Sequence, residues 1–146
     1  MGDLSQHFSR NEFTCHCCGR FQLDPRLLQA LEKLRALAGA PIAILCGYRC
    51  PEHNQQVGGA ANSEHLRGRA ADIKIVGLNL QLMYELALQV PEFQQGGIGV
   101  YDHGFLHVDV REHPARWAQV ASRYVGVYAL VREPVATASP ESMQAV

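Results

Sequence analysis

The chain has 146 residues, 47% of them apolar and 18% charged, which is enough for one compact domain with a single core and excludes a disordered segment. Thirteen Lys and Arg against fourteen Asp and Glu leave a formal net charge of −1 with no run of like charges, so a polyanion binder driven by bulk charge is excluded. No apolar stretch approaches the roughly 18 residues of a membrane span, and the opening Met1–Phe13 has neither the basic start nor the apolar core of a Sec signal.

In chain order, the first feature is a crowd of cysteines. Cys15, Cys17 and Cys18 share four positions and Cys46 and Cys50 follow; because five is odd, at least one stays unpaired or binds something other than a partner within the chain. A helix is predicted from Pro25 to Leu37: Asp24 caps it, Pro25 suits its first turn, Leu27, Leu31, Leu34 and Ala38 share a face, and Gly39 stops it. Pro41–Gly47 is short, apolar and bounded by turn formers, the pattern of a buried strand. Pro51–Val57 reads as a short helix and Gly58–Asn62 as loop.

From Arg69 to Val76 the residues alternate. Ala71, Ile73 and Ile75 face one side and Ala70, Asp72 and Lys74 the other, so a half-buried strand turns Asp72 away from the core. A second amphipathic helix, Leu80–Gln89, is capped by Asn79 and ended by Pro91. Two strands, Ile98–Tyr101 and Phe105–Val110, flank a turn at Asp102-His103-Gly104, with Phe105, His107 and Asp109 sharing one face of the second. Trp117 is expected to pack near this last strand. The small, polar stretch 133–146 reads as a frayed tail behind a single domain, 1–132. Strands and helices interleave without a βαβ rhythm, which makes the class α+β.

His65 in a glycine-rich loop and Asp72 and His107 on strands are polar where a plain loop or strand needs no such group. Two imidazoles and a carboxylate form a three-ligand set that suits zinc and leaves a fourth position for water. Gly68 allows a sharp turn between His65 and the strand, and small Ala70 leaves space beside the metal. Ser63 is a hydrogen-bonding neighbour of the same site.

Ser63-Glu-His-Leu-Arg-Gly-Arg-Ala-Ala-Asp72 matches S-x-H-x-x-G-x-A-x-D in full. It resembles the first zinc motif of the peptidase M15 family, the D-alanyl-D-alanine carboxypeptidases and related cell-wall endopeptidases whose fold is shared with the hedgehog signalling domain. Phe105-Leu-His-Val-Asp109 resembles the second motif, and Cys46-Gly-Tyr-Arg-Cys-Pro-Glu-His-Asn54 with Val57-Gly-Gly resembles the substrate-binding turn and its arginine. The resemblance runs from about Leu4 to Trp117. It implies a small, mostly antiparallel sheet flanked by helices, one catalytic zinc on His65, Asp72 and His107, and Arg49 near the substrate. The implied activity is hydrolysis of peptidoglycan stem peptides, as a D,D- or L,D-carboxypeptidase or an endopeptidase. Arg49 is suited to gripping a peptide carboxylate or steadying an oxyanion because its guanidinium is always charged and fork-shaped.

The proton acceptor has three candidates. Asp109 lies two residues beyond His107 on the same strand face, while Asp102 and His103 stand in the preceding turn. Asp109 alternatively orients His107 or Arg49. The cysteines form either a structural metal knuckle or disulfides tying the N-terminal segment to the strand region ending at Cys50, although the single residue between Cys15 and Cys17 departs from C-x₂₋₄-C spacing. A zinc-containing module that binds peptidoglycan without cutting it is the alternative function. A nucleic-acid module is disfavoured by the absence of any basic stripe. The expected molecule is a monomer with no membrane span, made in the cytoplasm, whose substrate lies in the cell wall or periplasm, as for a phage or prophage lytic enzyme.

Overall fold

Asp24 and Gly39 bracket the first helix. The Asp24 carboxylate accepts the Arg26 amide N–H at 2.8 Å, Pro25 occupies the first turn, where no backbone bond is lost, and Gly39 takes a left-handed φ of 62°. In the computed structural model, which describes residues 2–134, this helix, α1, runs Pro25–Ala38 and buries Leu27, Ala30, Leu31 and Leu34. Each such leucine contributes roughly 1.5–3 kcal/mol by leaving water, so this face anchors the helix in the core. The stretch read as a frayed tail lies outside the described residues from 135 onward.

The remaining elements are β1 (Ile42–Cys46), α2 (Pro51–Gln56), β2 (Ala70–Ile75), α3 (Leu80–Leu88), α4 (Pro91–Gln94), β3 (Gly97–Tyr101), β4 (Phe105–Asp109), β5 (Ala115–Val120) and β6 (Arg123–Val125). The sheet order is β1-β2-β4-β3-β5-β6, and every neighbouring pair is antiparallel except β3 with β5. The α+β class is therefore what the sequence pattern anticipates, and the mostly antiparallel sheet is what the family resemblance implies. Two elements differ from expectation. Pro91 does not merely end a helix but also starts the short α4, its ring sitting in the first turn. Strands β5 and β6 lie beyond the predicted hairpin; β6 is exposed throughout and only Ala118 is buried in β5, so neither carries an apolar alternation. Among the described residues, no helix is long and apolar enough to cross a membrane.

The period of two splits the sheet into two faces. Ile73, Leu106, Val100 and Ala118 stand in register across β2, β4, β3 and β5, all buried. The first three join Leu27, Leu31, Met83 and Phe93 in one core cluster. One residue along each strand, Asp72, His107, Gly99 and Trp117 form the matching row on the opposite face. The N-terminal segment is strapped beside the end of β1: Phe13 is fully buried, its carbonyl accepts the Tyr48 N–H at 3.0 Å, and a Cβ at Gly47 would come within 2.7 Å of the Phe13 Cα.

Candidate metal centre

The loop carrying His65 is shaped by its own small residues. Ser63 caps a 3₁₀ turn at Glu64–Arg67, its hydroxyl accepting the His65 N–H at 3.2 Å. Gly68 ends that turn at φ 67°, where a Cβ would also come within 2.4 Å of the Gln22 carbonyl oxygen. The Gly68 carbonyl accepts the Asp24 N–H at 2.9 Å, tying the turn to the cap of α1. Serine and glycine at these spacings are thus explained by backbone geometry.

His65 Nε2 and His107 Nδ1 each lie 3.2 Å from the same oxygen, Oδ1 of Asp72, with ring centroids 5.1 Å apart. The outer nitrogen of each ring is already held. His65 Nδ1 donates to the Gly47 carbonyl at 2.7 Å, and His107 Nε2 donates to Asp109 Oδ2 at 2.7 Å. Opposite ring nitrogens are thereby turned toward one point, the arrangement that fixes tautomer and orientation in metal-ligating histidines. Burial pushes the Asp72 carboxyl up, but the two imidazoles outweigh it and hold it below the usual carboxylate range. Burial pushes His107 down, and hydrogen bonds from Asp109 and Asp72 outweigh it, raising the imidazole to about 9. Cys46, the register partner of Asp72 on β1, brings its Sγ to 3.8 Å from His65 Nδ1, the nitrogen that Gly47 already occupies.

Asp109 is completely buried and saturated with donors. Its oxygens accept from His107, from the Gly97 amide at 2.8 Å, from the Arg111 amide at 3.1 Å, and from Arg111 Nε and Nη2 at 2.9 and 2.7 Å. Burial pushes its carboxyl up, and His107 and Arg111 outweigh that and hold it low. Gly97 is required beside it, since a Cβ there would lie 2.2 Å from Asp109 Oδ2. Ala70, read from sequence as clearing room for the metal, stands opposite Asp109 in the ladder. Trp117 does more than pack: its ring lies 5.0 Å from that of His107, Arg111 Cζ sits 5.1 Å over it, and its Nε1 donates to the Tyr101 hydroxyl at 3.2 Å.

These groups border a cleft of about 660 Å³ whose walls include Arg49, Ser63, His65, Asp72, His107 and Trp117. The Arg49 amide donates to the His65 carbonyl at 3.1 Å, while its Nε is buried without a partner. Among the described residues no carboxylate pairs with Arg49. A Cβ at Gly59 would come within 3.0 Å of Arg49 Nη1, so the glycine loop makes room for the fork. Of the sequence-derived candidates, Asp109 stands behind His107. Asp102 and His103, 3.2 Å apart at the hairpin tip, lie next to the cleft-lining Tyr101 but not on the wall themselves, and Asp102 Oδ2 accepts the Ala121 N–H at 2.8 Å. Arg111 and Trp117 were not legible as site residues; the available signal was the pair of glycines on β3 that clear space for Asp109 and the indole.

The sequence matches the peptidase M15 family over residues 6–109, and the chain belongs to that family. It is 33% identical over 97 residues to the "Probable peptidoglycan L,D-endopeptidase MepK" of Haemophilus influenzae, covering 60% of this chain and 50% of that protein. It is likewise 33% identical over 102 residues to the peptidoglycan L,D-endopeptidase MepK of Escherichia coli K12, covering 64% and 53%. The chain spans about half the length of the curated relatives it matches.

Proposed function

We propose that this chain is a zinc-dependent peptidase that hydrolyses stem peptides of peptidoglycan at the cell wall, with His65, Asp72 and His107 holding one zinc ion. One observation carries this reading: two buried imidazoles from separate motifs converge on Asp72 Oδ1 while their outer nitrogens are fixed by Gly47 and Asp109. Two nitrogens and a carboxylate oxygen are a donor set that fits catalytic zinc. When bound, the ion supplies Lewis acidity toward both the attacking water and the scissile carbonyl. Likeness to two peptidoglycan L,D-endopeptidases favours an L,D bond within the stem peptide.

The chain's own residues divide the remaining work. Arg49, with a buried unpartnered Nε at the cleft wall, holds a substrate carboxylate or carbonyl oxygen through its fork. Asp109 fixes the His107 ring, because its oxygens are already occupied by His107, Arg111 and Gly97. Of the proton acceptors that the sequence offers, Asp109 has its oxygens taken by other donors, and Asp102 and His103 stand off the cleft wall, so none of the three is placed to take a proton in the cleft. Trp117 forms an apolar wall beside His107. The test is elemental analysis of the purified chain together with mass-resolved digestion of purified peptidoglycan. The expected result is a loss of one zinc equivalent per chain, relative to wild type, in His65→Ala and His107→Ala, and stem-peptide cleavage by the wild type alone. Zinc content equal to that of wild type in both variants, or a zinc-loaded wild type that cuts no peptidoglycan, overturns the proposal.

A further inference from the structure

On the N-terminal strap, away from the cleft, four sulfur atoms meet. The Sγ atoms of Cys15, Cys17, Cys18 and Cys50 all lie within 4.8 Å of one another, with Cys17 to Cys50 at 3.3 Å and Cys15 to Cys17 at 3.6 Å. Four thiolates around zinc at about 2.3 Å stand roughly 3.8 Å apart at the corners of a tetrahedron, so these sulfurs need little movement to enclose an ion. The backbone is shaped to match. Cys15 and Cys18 are separated by two residues and followed by Gly19 at φ 71°, and the turn is closed by Gly19 N–H to the Cys15 carbonyl at 2.8 Å and Cys15 N–H to the Arg20 carbonyl at 2.7 Å. The C-x₂-C separation used by zinc knuckles is therefore present between Cys15 and Cys18, with Cys17 inside it.

The sulfurs are also surrounded by donors. The Cys50 amide points at Cys15 Sγ and the His53 amide at Cys50 Sγ, both at 3.4 Å, and Arg20 Nε reaches Cys18 Sγ at 3.2 Å. N–H groups directed at sulfur hold the positions of thiolate ligands and offset their negative charge. An all-sulfur set selects a soft or borderline ion, and a closed set of four protein ligands leaves no open position for substrate. Cys46 is the fifth cysteine and stands apart, against His65.

We infer that Cys15, Cys17, Cys18 and Cys50 form a second, structural zinc site that staples the N-terminal strap to the segment between β1 and α2. Closing four ligands drawn from residues 15–18 and 50 over one ion contributes folding free energy directly, since the unfolded chain has no such site.

The test uses the full chain carrying His65→Ala and His107→Ala, which removes the site of the proposed function and leaves the four cysteines. After expression with zinc and purification under reducing conditions, this variant is expected to retain about one zinc per chain. Exchange of that ion for cobalt is expected to give an intense thiolate-to-cobalt charge-transfer band in the near ultraviolet. Adding Cys17→Ser, at an exposed position whose loss disturbs no core packing, is expected to abolish the tetrathiolate spectrum and lower the melting temperature. A folded double variant without metal whose thiols react freely, or one whose intact mass and peptide map reveal bridges among these cysteines, overturns the inference. Zinc retained here together with inactive wild type refutes the peptidase reading and leaves this site standing, so the two failures are distinguishable.

Discussion

Replacing Asp109 by Asn separates positioning from proton transfer. The carboxylate accepts from His107 Nε2, two backbone amides and the Arg111 guanidinium, and an amide of the same shape retains one acceptor oxygen and introduces an N–H₂. Either His107 or Arg111 then faces a donor with a donor. Loss of such a partner costs a metal-ligating histidine about 10- to 100-fold in metal affinity, which corresponds to about 1.4–2.8 kcal/mol. Asp109→Asn is therefore expected to weaken zinc binding by that factor, measured by competition with a chromophoric chelator, while turnover recovers when zinc is saturating. Asp102→Asn, off the cleft wall with its Oδ2 held by the Ala121 N–H, is expected to keep both zinc affinity and kcat, and a fall in kcat of roughly two to four orders of magnitude, the span of general-base loss, would instead make Asp102 the proton acceptor. Unchanged zinc affinity in Asp109→Asn with collapsed turnover at saturating zinc would refute the positioning role and make Asp109 the proton acceptor.

Three further outcomes follow from particular contacts. Arg49→Lys is expected to keep fold and zinc but lose about 10- to 100-fold in kcat/KM on stem peptides, the value of one charge-assisted hydrogen bond; unchanged kinetics would return Arg49 to a structural role. Gly99→Ala places a Cβ 2.5 Å from the Trp117 indole, so the ring must shift at a cost of about 1–3 kcal/mol; the emission of this sole tryptophan is expected to move, and an unaltered spectrum and melting temperature contradict the packing described. Glu32 is pushed up by burial, but Ser5 and the His7 amide and ring hold its carboxyl below the ordinary range. A depressed folded value adds stability that is fully present above the unfolded pKa near about 4.3 and is lost as pH falls through the folded value. The melting-temperature deficit of Glu32→Gln should accordingly shrink below that pH, and parallel curves would exclude the linkage.

The elements that announced themselves in the sequence are those whose side chains repeat with the backbone. The α1 leucines recur every three or four residues between Asp24 and Gly39, and β2 alternates from Ala71 to Ile75, so the sequence already turns Asp72 away from the core. Strands β5 and β6 gave no such signal, because β6 is wholly exposed and β5 buries only Ala118. In the candidate site, His65, Asp72 and His107 stood out by residue type, and the resemblance of their motifs to the M15 pattern is what joined them into one set. The sequence put Asp109 on the face of His107 but could not tell whether it stands before the metal or behind the ring. That depends on Arg111 and the Gly97 amide, which bind its oxygens from across the fold. At the cysteines the sequence offered a metal knuckle and disulfides alike, and what it could not supply is the fold that brings Cys50 beside Cys15, Cys17 and Cys18.

The parallel pairing of β3 with β5 sets the smallest working length of this domain. The family match ends at Asp109, yet the chain then crosses to the far side of β3 to lay down β5 and the Trp117 indole. A protein trimmed after Asp109 would keep all three motif residues and expose β3 as an open edge bearing Gly97 and Gly99, with its backbone donors and acceptors free to recruit strands from other molecules. Truncations meant to be soluble should therefore extend past β6 and at least through Val131, which joins Val127 in the core. Shorter ones are expected to aggregate even though every residue of the recognised motifs is present.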